Sequence, residues 1–369
     1  MRPTIIDLFS GCGGLGLGAE LAGFRSLAAF DISTDLQSSL QLNFPETRAI
    51  NADLGKVDAS HWKRMFGDLR PDGIIGGPPC QGFSRIGRHD KNDPRNNLVN
   101  DYFRLVSISR PKFFVMENVE GILDDDNRPI LDAALERLPQ HYRIVGPLVV
   151  NAADYGAPTN RMRVVVVGYD PDEIDAIGEL DIRPRRKINI SVRDAIADLP
   201  EPVRFPRSPL EYDWVEYRTA LQESSQFART ARSLPPRHLG WRAARDALAG
   251  QRVSGLYGTV HTESVIDRFS NTNPGKAEPI SRYPRLAWDH KCPTLRAGTG
   301  SDRGSYQAMR PIHPDIPRVI TVREAARLQG FPDWFVFHPT KWHSFRMIGN
   351  SVSPIMSRRI MSSIRKKLA

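Results

Sequence analysis

Two side chains suited to covalent and acid–base chemistry follow neighbouring predicted strands. The sequence GGPPCQGFS (76–84) follows a predicted strand at residues 73–77 and leaves Cys80 at the carboxyl end of that strand. A lone cysteine is more often a small buried hydrophobic residue than a nucleophile. The next predicted strand, residues 112–117, ends in Glu117 and brings a carboxyl group to the same edge of the sheet. These positions therefore favour a thiolate nucleophile beside an acid.

A glycine-rich turn lies earlier in the chain, directly after the first predicted strand. Gly11, Gly13 and Gly16 match the pattern G-x-G-x-x-G between a strand and a helix, which is the setting of a nucleotide-binding loop. Asp31 ends the second predicted strand, where a ribose hydroxyl would need an acceptor, and Asp53 ends the third. The turn predicts an adenosine-bearing ligand, but it leaves open whether that ligand is a dinucleotide or another cofactor.

Short β-rich runs alternate with helical patterns in the first half of the chain, which is typical of a parallel α/β sheet. Strands are predicted at residues 4–9, 26–30, 48–51, 73–77, 112–117, 143–150 and 163–168. Helices are predicted, among other places, at residues 15–21, 36–42, 98–109 and 130–138. The run 164–167 is apolar on both faces, so we expect a central strand there.

The regular alternation ends after Tyr169. From about residue 181 to 315 the chain is rich in Pro, Arg, Ser and Gly, and five of its six tryptophans lie beyond residue 210. These aromatic residues predict a separate, irregular domain with a small core. A helix over residues 321–329 begins with a capping box of Thr321 and Glu324, and a second helix covers residues 352–367. We therefore predict a catalytic and cofactor-binding domain at 1–180, an irregular domain at 181–320 and a C-terminal return at 321–369.

The net charge of +9 is unevenly distributed along the chain. Residues 1–170 hold 19 Lys+Arg against 21 Asp+Glu, whereas the remaining residues hold 32 against 21. A basic excess confined to the second half favours a polyanionic partner there, although a solvated arginine-rich surface would give the same count. Three cysteines without a CxxC pair argue against a disulfide framework or a zinc site. With no apolar run long enough for a membrane span and no export signal, we expect a cytoplasmic protein.

Six stretches of the chain resemble, in the same order, the motifs of the DNA (cytosine-5)-methyltransferase family of bacterial restriction-modification systems. They are DLFSGCGG (7–14), GGPPCQGFS (76–84), ENVEGIL (117–123), NRMRVVVVG (160–168), TVREAARLQGFPD (321–333) and IGNSVSP (348–354). The resemblance implies an α/β, Rossmann-like S-adenosylmethionine-dependent methyltransferase domain, with a smaller target-recognition domain inserted before the C-terminal helix. It also implies methyl transfer to carbon 5 of a cytosine in a specific double-stranded DNA sequence.

The same resemblance implies a chemical role for four residues. Cys80 would add to carbon 6 of a flipped-out cytosine and so activate carbon 5, while Glu117 would bond the N3/N4 edge of the base. Arg161 and Arg163 would lie beside the pocket, one of them contacting the base O2. Phosphate contact or a salt bridge with Glu117 are the alternatives for the two arginines. The polar stretch 82–97 would close over the DNA.

The resemblance further implies where the cofactor binds. It places Phe9 on the adenine ring and Asp31 on the ribose hydroxyls. Cofactor contacts are assigned to Phe9, Gly11, Cys12, Gly13, Gly14, Asp31, Ile32, Asp53, Leu54, Pro78, Leu98, Asn350, Ser351 and Val352. Two positions depart from the family pattern, because Asp31 stands where the family more often has Glu, and Thr159 stands where a Gln commonly precedes the arginine pair. No metal is expected.

Duplex DNA is the expected partner, bound largely by residues 181–315, which include the basic run from Arg183 to Lys187. A cognate restriction endonuclease could act on the same site without forming a stable complex, and the protein is expected to be monomeric. Three other functions stay open: methylation of a tRNA cytosine, an NAD-dependent oxidoreductase using the glycine turn, and a catalytically inactive DNA-binding relative. The oxidoreductase would leave PPC, ENV and GNSV without a role.

Overall fold

The structure is a computed structural model, and it describes residues 1–79, 97–204, 211–298 and 308–368. Within these ranges seven strands form one sheet. They are β1 (Thr4–Leu8), β2 (Arg25–Asp31), β3 (Arg48–Asn51), β4 (Gly73–Gly76), β5 (Phe113–Asn118), β6 (Arg143–Asn151) and β7 (Met162–Tyr169). The spatial order is β3-β2-β1-β4-β5-β7-β6. Each predicted strand is confirmed to within one residue at either end.

The sheet differs from the predicted parallel sheet at one side. Strands β1 to β5 pair in parallel, but β7 is antiparallel to both β5 and β6. The reason lies in the connection, because only residues 152–161 join β6 to β7, and a segment of that length makes a return rather than a crossover. The valine run of β7 is fully buried between β5 and β6, as expected for an interior strand.

The helices of the catalytic half cover both faces of the sheet. They are α1 (Gly14–Leu21), α2 (Thr34–Asn43), α3 (Ala59–Phe66), α4 (Leu98–Ser109) and α5 (Arg128–Glu136). Helix α4 begins and ends at the predicted residues. Helix α5 starts two residues before the predicted position because Pro129 occupies its first turn, where the ring is tolerated and the missing N–H costs nothing.

The chain beyond the sheet forms short helices and one two-stranded ribbon. These are α6 (Glu179–Ile182), α7 (Val192–Ile196), β8 (Val215–Glu216), α8 (Gln226–Ala231), α9 (Arg242–Ala249), β9 (Arg252–Val253), α10 (Glu263–Ser270), α11 (Val322–Gln329), α12 (Lys341–Asn350) and α13 (Pro354–Arg365). The capping box of α11 is present, since the Thr321 hydroxyl accepts from the Glu324 amide and the Glu324 carboxylate from the Thr321 amide. No described helix is long and apolar enough to cross a membrane.

The C-terminal helix returns to the start of the chain. Helix α13 lies against α1 so closely that a Cβ built on Gly18 would come within 2.3 Å of the Ser357 Cβ. The Ser357 hydroxyl also donates to the Leu15 carbonyl at 2.6 Å. This contact brings the segment before α13, residues 349–353, onto the glycine turn that precedes α1. Two parts of the chain that lie more than three hundred residues apart therefore meet at one place.

The irregular region does not build its core from its own residues alone. Its buried side chains join a large apolar cluster with α11, α12 and the segment 331–337, whereas Phe269, Ile312 and Val319 form a smaller cluster of their own. A buried ionic group also fastens the region to α11. Arg327 donates to Asp333 at 2.5 and 2.6 Å, and to Asp198, two residues beyond α7, at 3.1 Å.

Replacing Arg327 by methionine should destabilise the protein by about 3–5 kcal/mol, because Asp198 and Asp333 would be left buried without their main counter-charge. Chemical denaturation measures the loss. Arg242→Met is the matched control, since Arg242 is an exposed partner of Asp246 and such a pair contributes about 0–1 kcal/mol. Equal losses in the two variants would contradict a structural role for the buried group.

Candidate active site

The parallel strands meet at one edge of the sheet, and the strand order changes direction there. Strands β1 and β4 are neighbours, with β2 and β3 on one side and β5 on the other. In open α/β sheets ligands bind beyond the carboxyl ends of the strands at such a switch point. The glycine turn follows β1, and the segment leading to Cys80 follows β4. The two sequence motifs are therefore brought to the same crevice by the strand order.

The acid of this crevice is Glu117, near the end of β5. Its carboxylate is buried and forms an ion pair with Arg163, with 2.7 Å between Arg163 Nε and Glu117 Oε1. The register explains the contact: β7 runs antiparallel and pairs Val165 with Glu117, so its first residues, including Arg163, lie at the carboxyl edge. The salt bridge, one alternative left open by the sequence, is present. Contact of Arg163 with a base stays a prediction.

The segment leading to the nucleophile is held against β5. Gly77 follows β4 so closely beside the acid that a Cβ there would lie 3.1 Å from Glu117 Oε2. The Asn118 side chain donates to the Pro78 carbonyl at 3.2 Å. Cys80 itself and residues 81–96, which include most of the predicted closing loop, lie outside the described residues. The chain therefore approaches the position of Cys80 from directly beside the carboxylate of Glu117.

The glycine turn has the tight geometry that its sequence predicts. Gly11 and Gly13 have φ angles of 57° and 91°, in the left-handed region that favours glycine. A Cβ on Gly11 would meet nothing within 4 Å, so this residue faces open space. A Cβ on Gly14 would instead lie 2.5 Å from the Val352 carbonyl oxygen. The turn is thus open on one side and closed on the other by the C-terminal segment.

The acid at the end of β2 is already engaged by backbone amides. Asp31 accepts from the Gly11 amide and the Ser33 amide, both at 2.8 Å. Burial raises the pKa of Asp31, and these amide hydrogen bonds oppose the shift. The next residue, Ile32, leaves 69% of its surface exposed. A carboxylate with free lone pairs beside an exposed apolar side chain suits a ligand with both hydroxyls and a flat ring.

The remaining predicted cofactor residues lie around the same edge of the sheet and differ in how far they are buried. Asp53 caps a 3₁₀ turn at Leu54–Lys56 by accepting from the Gly55 amide at 3.1 Å, and Leu54 is buried. Phe9 is half-buried with a φ of 57°, directly before the glycine turn. Leu98 is half-buried at the start of α4, and Pro78 is buried. Asn350 is exposed at the end of α12.

Cys12 connects the glycine turn to the C-terminal segment. Its Sγ lies 2.9 Å from the Ser351 hydroxyl, which donates to the Met347 carbonyl at 2.8 Å. Gln329 of α11 donates to the Ser351 carbonyl at 2.7 Å and holds this segment from the other side. Burial raises the pKa of the Cys12 thiol to about 12. This thiol is therefore neutral at physiological pH and cannot serve as a nucleophile.

We expect Cys12 of the folded protein to resist alkylation by iodoacetamide up to pH 9, because the thiolate is the reactive form and a pKa near 12 keeps it scarce. Peptide mass spectrometry of the labelled protein measures the modification. Labelling in denaturant is the control, since unfolding returns the thiol to a pKa of about 8.5 and should make it reactive. Rapid modification of native Cys12 at pH 7 would contradict the buried, neutral state.

Two residues near the site have contacts or burial that the sequence analysis did not predict. Asp7 of β1 is buried, and neither carboxylate oxygen has a hydrogen-bond partner among the described residues. Burial raises its pKa well above the usual range, although the nearby Gly16 amide opposes the shift. Thr159 is buried and donates to the Cys292 carbonyl at 3.1 Å, so it holds the irregular region. An acid within the apolar strand that leads to the glycine turn could have revealed Asp7.

Arg161 lies beside Arg163 in sequence but is bonded elsewhere. Its guanidinium is buried and donates to the Leu295 carbonyl at 3.0 Å and the Gly349 carbonyl at 2.8 Å. Burial lowers its pKa well below the usual range. Both terminal nitrogens therefore bond backbone, and of the two arginines only Arg163 pairs with Glu117. The described ranges contain no group of three or more His, Cys, Asp or Glu residues suited to a metal.

Comparison with known proteins agrees with this geometry. The family model of C-5 cytosine-specific DNA methylases matches residues 3–366. The chain is 41% identical to the type II methyltransferase M.XorII of Xanthomonas oryzae pv. oryzae, covering 99% of this chain and 86% of that protein. It is 31% identical to the type II methyltransferase M.DdeI of Desulfomicrobium norvegicum, covering 98% of this chain and 88% of that protein.

Solved structures show the same fold. A protein described as a DNA modification methyltransferase encoded within an E. coli prophage superimposes with a TM-score of 0.88 at 38% identity, over 100% of this chain and 99% of that one. The S. pombe Dnmt2 methyltransferase superimposes with a TM-score of 0.63 at 16% identity, over 99% of both chains, which shows a shared fold only.

The fold, the buried acid at the switch point and these matches define the class: the chain belongs to the C-5 cytosine-specific DNA methylase family. Within that family it is a DNA (cytosine-5)-methyltransferase of the restriction-modification type.

Proposed function

We propose that this enzyme methylates cytosine in a specific double-stranded DNA sequence, with S-adenosylmethionine as methyl donor and Cys80 as covalent nucleophile. The observation that supports this most is the Glu117–Arg163 ion pair, buried at the carboxyl edge of the sheet directly beside Gly77. Cys80 follows Gly77 by three residues, so a base held by Glu117 would lie close to the thiol. Glu117 offers a hydrogen-bond acceptor and Arg163 a hydrogen-bond donor, and a planar base could contact both along one edge.

The residues around the glycine turn fit S-adenosylmethionine. This molecule carries a sulfonium and an ammonium group, and Asp7 offers a buried carboxyl group without a hydrogen-bond partner among the residues that the structure describes. A cation bound nearby would stabilise the ionised form of that carboxyl group. The open face of Gly11 leaves room for the methionine portion, Asp31 retains lone pairs for the ribose, and exposed Ile32 can cover the adenine. When bound, S-adenosylmethionine supplies an electrophilic methyl group.

The other predicted contacts surround this position. We assign them to Phe9, Cys12, Gly13, Gly14, Asp53, Leu54, Pro78, Leu98, Asn350, Ser351 and Val352. Cys12 contributes through Ser351, with which its thiol makes contact, and Val352 contributes through its carbonyl beside Gly14. Burial raises the pKa of both the Cys12 and the Cys292 thiols, so that of the three cysteines Cys80 is the proposed nucleophile.

The chain's own residues would act on the base in a fixed order. The Cys80 thiolate would form a bond from Sγ to carbon 6, and the electrons of the 5,6 double bond would become available at carbon 5. Carbon 5 would then bond the donated methyl group, while the sulfur–methyl bond of the donor breaks and S-adenosylhomocysteine is left as product. Glu117 bonds the N3/N4 edge, and Arg163 holds Glu117 in place. A base then removes the proton from carbon 5, and the Sγ–C6 bond breaks as the 5,6 double bond re-forms.

The target cytosine must leave the DNA stack before this chemistry, at a cost of a few kcal/mol. Glu117 is only 8% exposed, so a base still paired in a duplex could not reach it. Phosphate contacts along the protein surface can offset that cost. The basic run Arg185–Lys187 is exposed, and Lys187 lies 3.3 Å from Asp154, in the turn after β6 at the same sheet edge as Glu117.

Replacing Arg185, Arg186 and Lys187 together by glutamine should weaken DNA binding and reduce its dependence on salt. Each lost phosphate contact should lower the slope of log K against log[salt] by about 0.9. Binding titrations from 50 to 200 mM salt, roughly the range in which such contacts matter, measure the slope.

The matched control replaces Lys63, Arg64 and Arg110 by glutamine. These residues lie at the ends of α3 and α4, which run back to the opposite edge of the sheet, so their loss should leave the slope unchanged. Equal slopes for the two triple variants would show that residues 185–187 make no phosphate contact.

The proposed function is tested by expressing the enzyme in a host that lacks cytosine methylation and sequencing 5-methylcytosine in its DNA. We expect methylation of one short sequence throughout the genome. Host DNA should then resist endonucleases that cleave that sequence, as a protective role in restriction-modification requires. Unmodified host DNA alongside methylated tRNA would instead support the RNA substrate. Sedimentation of the purified enzyme tests the expected monomer.

A further inference from the structure

A buried arginine joins three parts of the chain that are far apart in sequence. Arg161, just before β7, donates to the Leu295 carbonyl at 3.0 Å and to the Gly349 carbonyl at 2.8 Å. Its side chain is only 2% exposed. Leu295 belongs to the irregular region, and Gly349 lies one residue before Asn350. One guanidinium therefore bonds the segment proposed to face DNA and the segment proposed to face the cofactor.

The segment around Leu295 is fastened to the loop before β7 on its other side. The Cys292 amide donates to the Pro158 carbonyl at 2.9 Å, and the Asn160 amide donates to the Cys292 carbonyl at 2.8 Å. The Thr294 hydroxyl donates to the Asn160 carbonyl at 2.6 Å. Residues 292–295 thus follow the loop 158–161 that leads into β7. A shift of this segment would have to break the Arg161 bond to Leu295.

The cofactor segment and the DNA-facing segment also touch directly. A Cβ built on Gly349 would come within 2.5 Å of the Ala297 amide nitrogen and 2.6 Å of the Arg296 carbonyl carbon. Only glycine fits at this contact, because both neighbours are backbone atoms that cannot turn aside. Arg161 donates a hydrogen bond to residue 295 of one segment and to residue 349 of the other. Neither segment could therefore move alone without breaking a hydrogen bond of Arg161.

The partners of Arg161 are unusual for a buried cation. Its hydrogen bonds in the described residues go to two neutral carbonyls, and its Nε has no partner there. Holding a guanidinium in such a place is costly, so its contribution is geometric rather than a gain in stability. The planar fork of arginine bonds two carbonyls at a set separation, which the single ammonium of lysine cannot reproduce.

We propose that Arg161 is a positioning residue that couples DNA binding at residues 292–297 to cofactor binding at Asn350–Val352, an inference that rests on the proposed function. Binding of either ligand orders its own segment, and the shared guanidinium transmits that order to the other. Each ligand then tightens the binding of the other by the same factor, as linkage requires.

The test measures the Kd of S-adenosylhomocysteine by calorimetry with and without saturating duplex that carries the methylated sequence. The wild-type enzyme should bind it at least about fivefold more tightly with DNA present. Arg161→Lys keeps the charge, and Gly349→Ala forces the two segments apart while leaving the Arg161 side chain itself unchanged. Both should reduce the coupling to less than about twofold, while each binary Kd changes by less than about threefold. Arg359→Lys, on the exposed side of α13, is the matched control and should retain the coupling.

A purely structural role predicts a different result, because a loosened fold would weaken both binary affinities and lower the melting temperature without changing their ratio. That result, or full coupling in Arg161→Lys, would overturn the inference. Absence of coupling in the wild-type enzyme would overturn it as well. Failure of the wild-type enzyme to bind S-adenosylhomocysteine or DNA at all would instead contradict the proposed function.

Discussion

Replacing Cys80 by serine is expected to abolish methyl transfer to DNA, with a loss of at least about 10³-fold in rate. A serine hydroxyl is almost entirely protonated at neutral pH and is a far weaker nucleophile than a thiolate, so the bond to carbon 6 would not form. Binding of S-adenosylhomocysteine should be unchanged, because the glycine turn and the C-terminal segment that surround it do not depend on the thiol. Transfer of a tritiated methyl group to duplex DNA measures the rate.

The covalent step is tested separately with DNA that contains 5-fluorocytosine. Fluorine at carbon 5 leaves no proton to remove after methylation, so the Sγ–C6 bond persists and the protein–DNA adduct survives denaturation. We expect the adduct with the wild-type enzyme and with Cys292→Ala, which removes a different, buried thiol. An adduct with Cys80→Ser, or none with the wild-type enzyme, would show that Cys80 is not the nucleophile.

Replacing Glu117 by glutamine should slow methyl transfer by about 10²–10⁴-fold, the range typical of acid–base groups and of donors to a developing charge. Glutamine has nearly the same size, but it carries no charge to form an ion pair with Arg163, whose Nε lies 2.7 Å from Glu117 Oε1, and it has no acidic proton to give to N3. The N3/N4 edge would then lack its partner when the thiolate adds to carbon 6. DNA affinity should stay within a few-fold because the contacts with phosphate are elsewhere.

Single-turnover kinetics with saturating DNA measure this effect, and gel shifts measure the affinity. Glu120→Gln is the matched control, since Glu120 lies three residues on, in a 3₁₀ turn (Glu120–Leu123), and makes no contact with Arg163 in the described structure. The two variants should differ by at least about 10²-fold in rate. Similar rates would remove Glu117 from the proposed mechanism.

Much of the catalytic half could be predicted from local pattern. Periodicity located the seven strands, and glycine and proline placement located the turns, because both depend on a few neighbouring residues. The position of Glu117 at the sheet edge follows from the end of one strand. The ion-pair partner of Glu117 could not be predicted in the same way, because the sequence allowed Arg163 to contact the base, a phosphate or Glu117. The choice depended on β7 running antiparallel beside β5, which is a pairing between segments about fifty residues apart.

The irregular region was the least predictable part. Its helices α6 to α10 are only four to eight residues long, and many of its apolar side chains join one cluster with α11 and α12. Within the ionic group of Arg327, Asp198 and Asp333, Arg327 and Asp198 lie 129 residues apart in the sequence. Such partners leave no local signal, because each residue alone resembles an ordinary charged surface position.

The sequence by itself determined the order of the motifs, the end of the strand that precedes Cys80, the strand end that carries Glu117, and the turn that Gly11 and Gly13 permit, since each depends on backbone preferences within a few residues. Only the tertiary structure decided that Arg163 pairs with Glu117, that Asp7 is left without a hydrogen-bond partner among the described residues, and that Arg161 bonds carbonyls 134 and 188 residues away. The physical reason is that burial and hydrogen bonding are settled by which distant segments meet. The conformational preferences of neighbouring residues do not indicate which distant segments will meet.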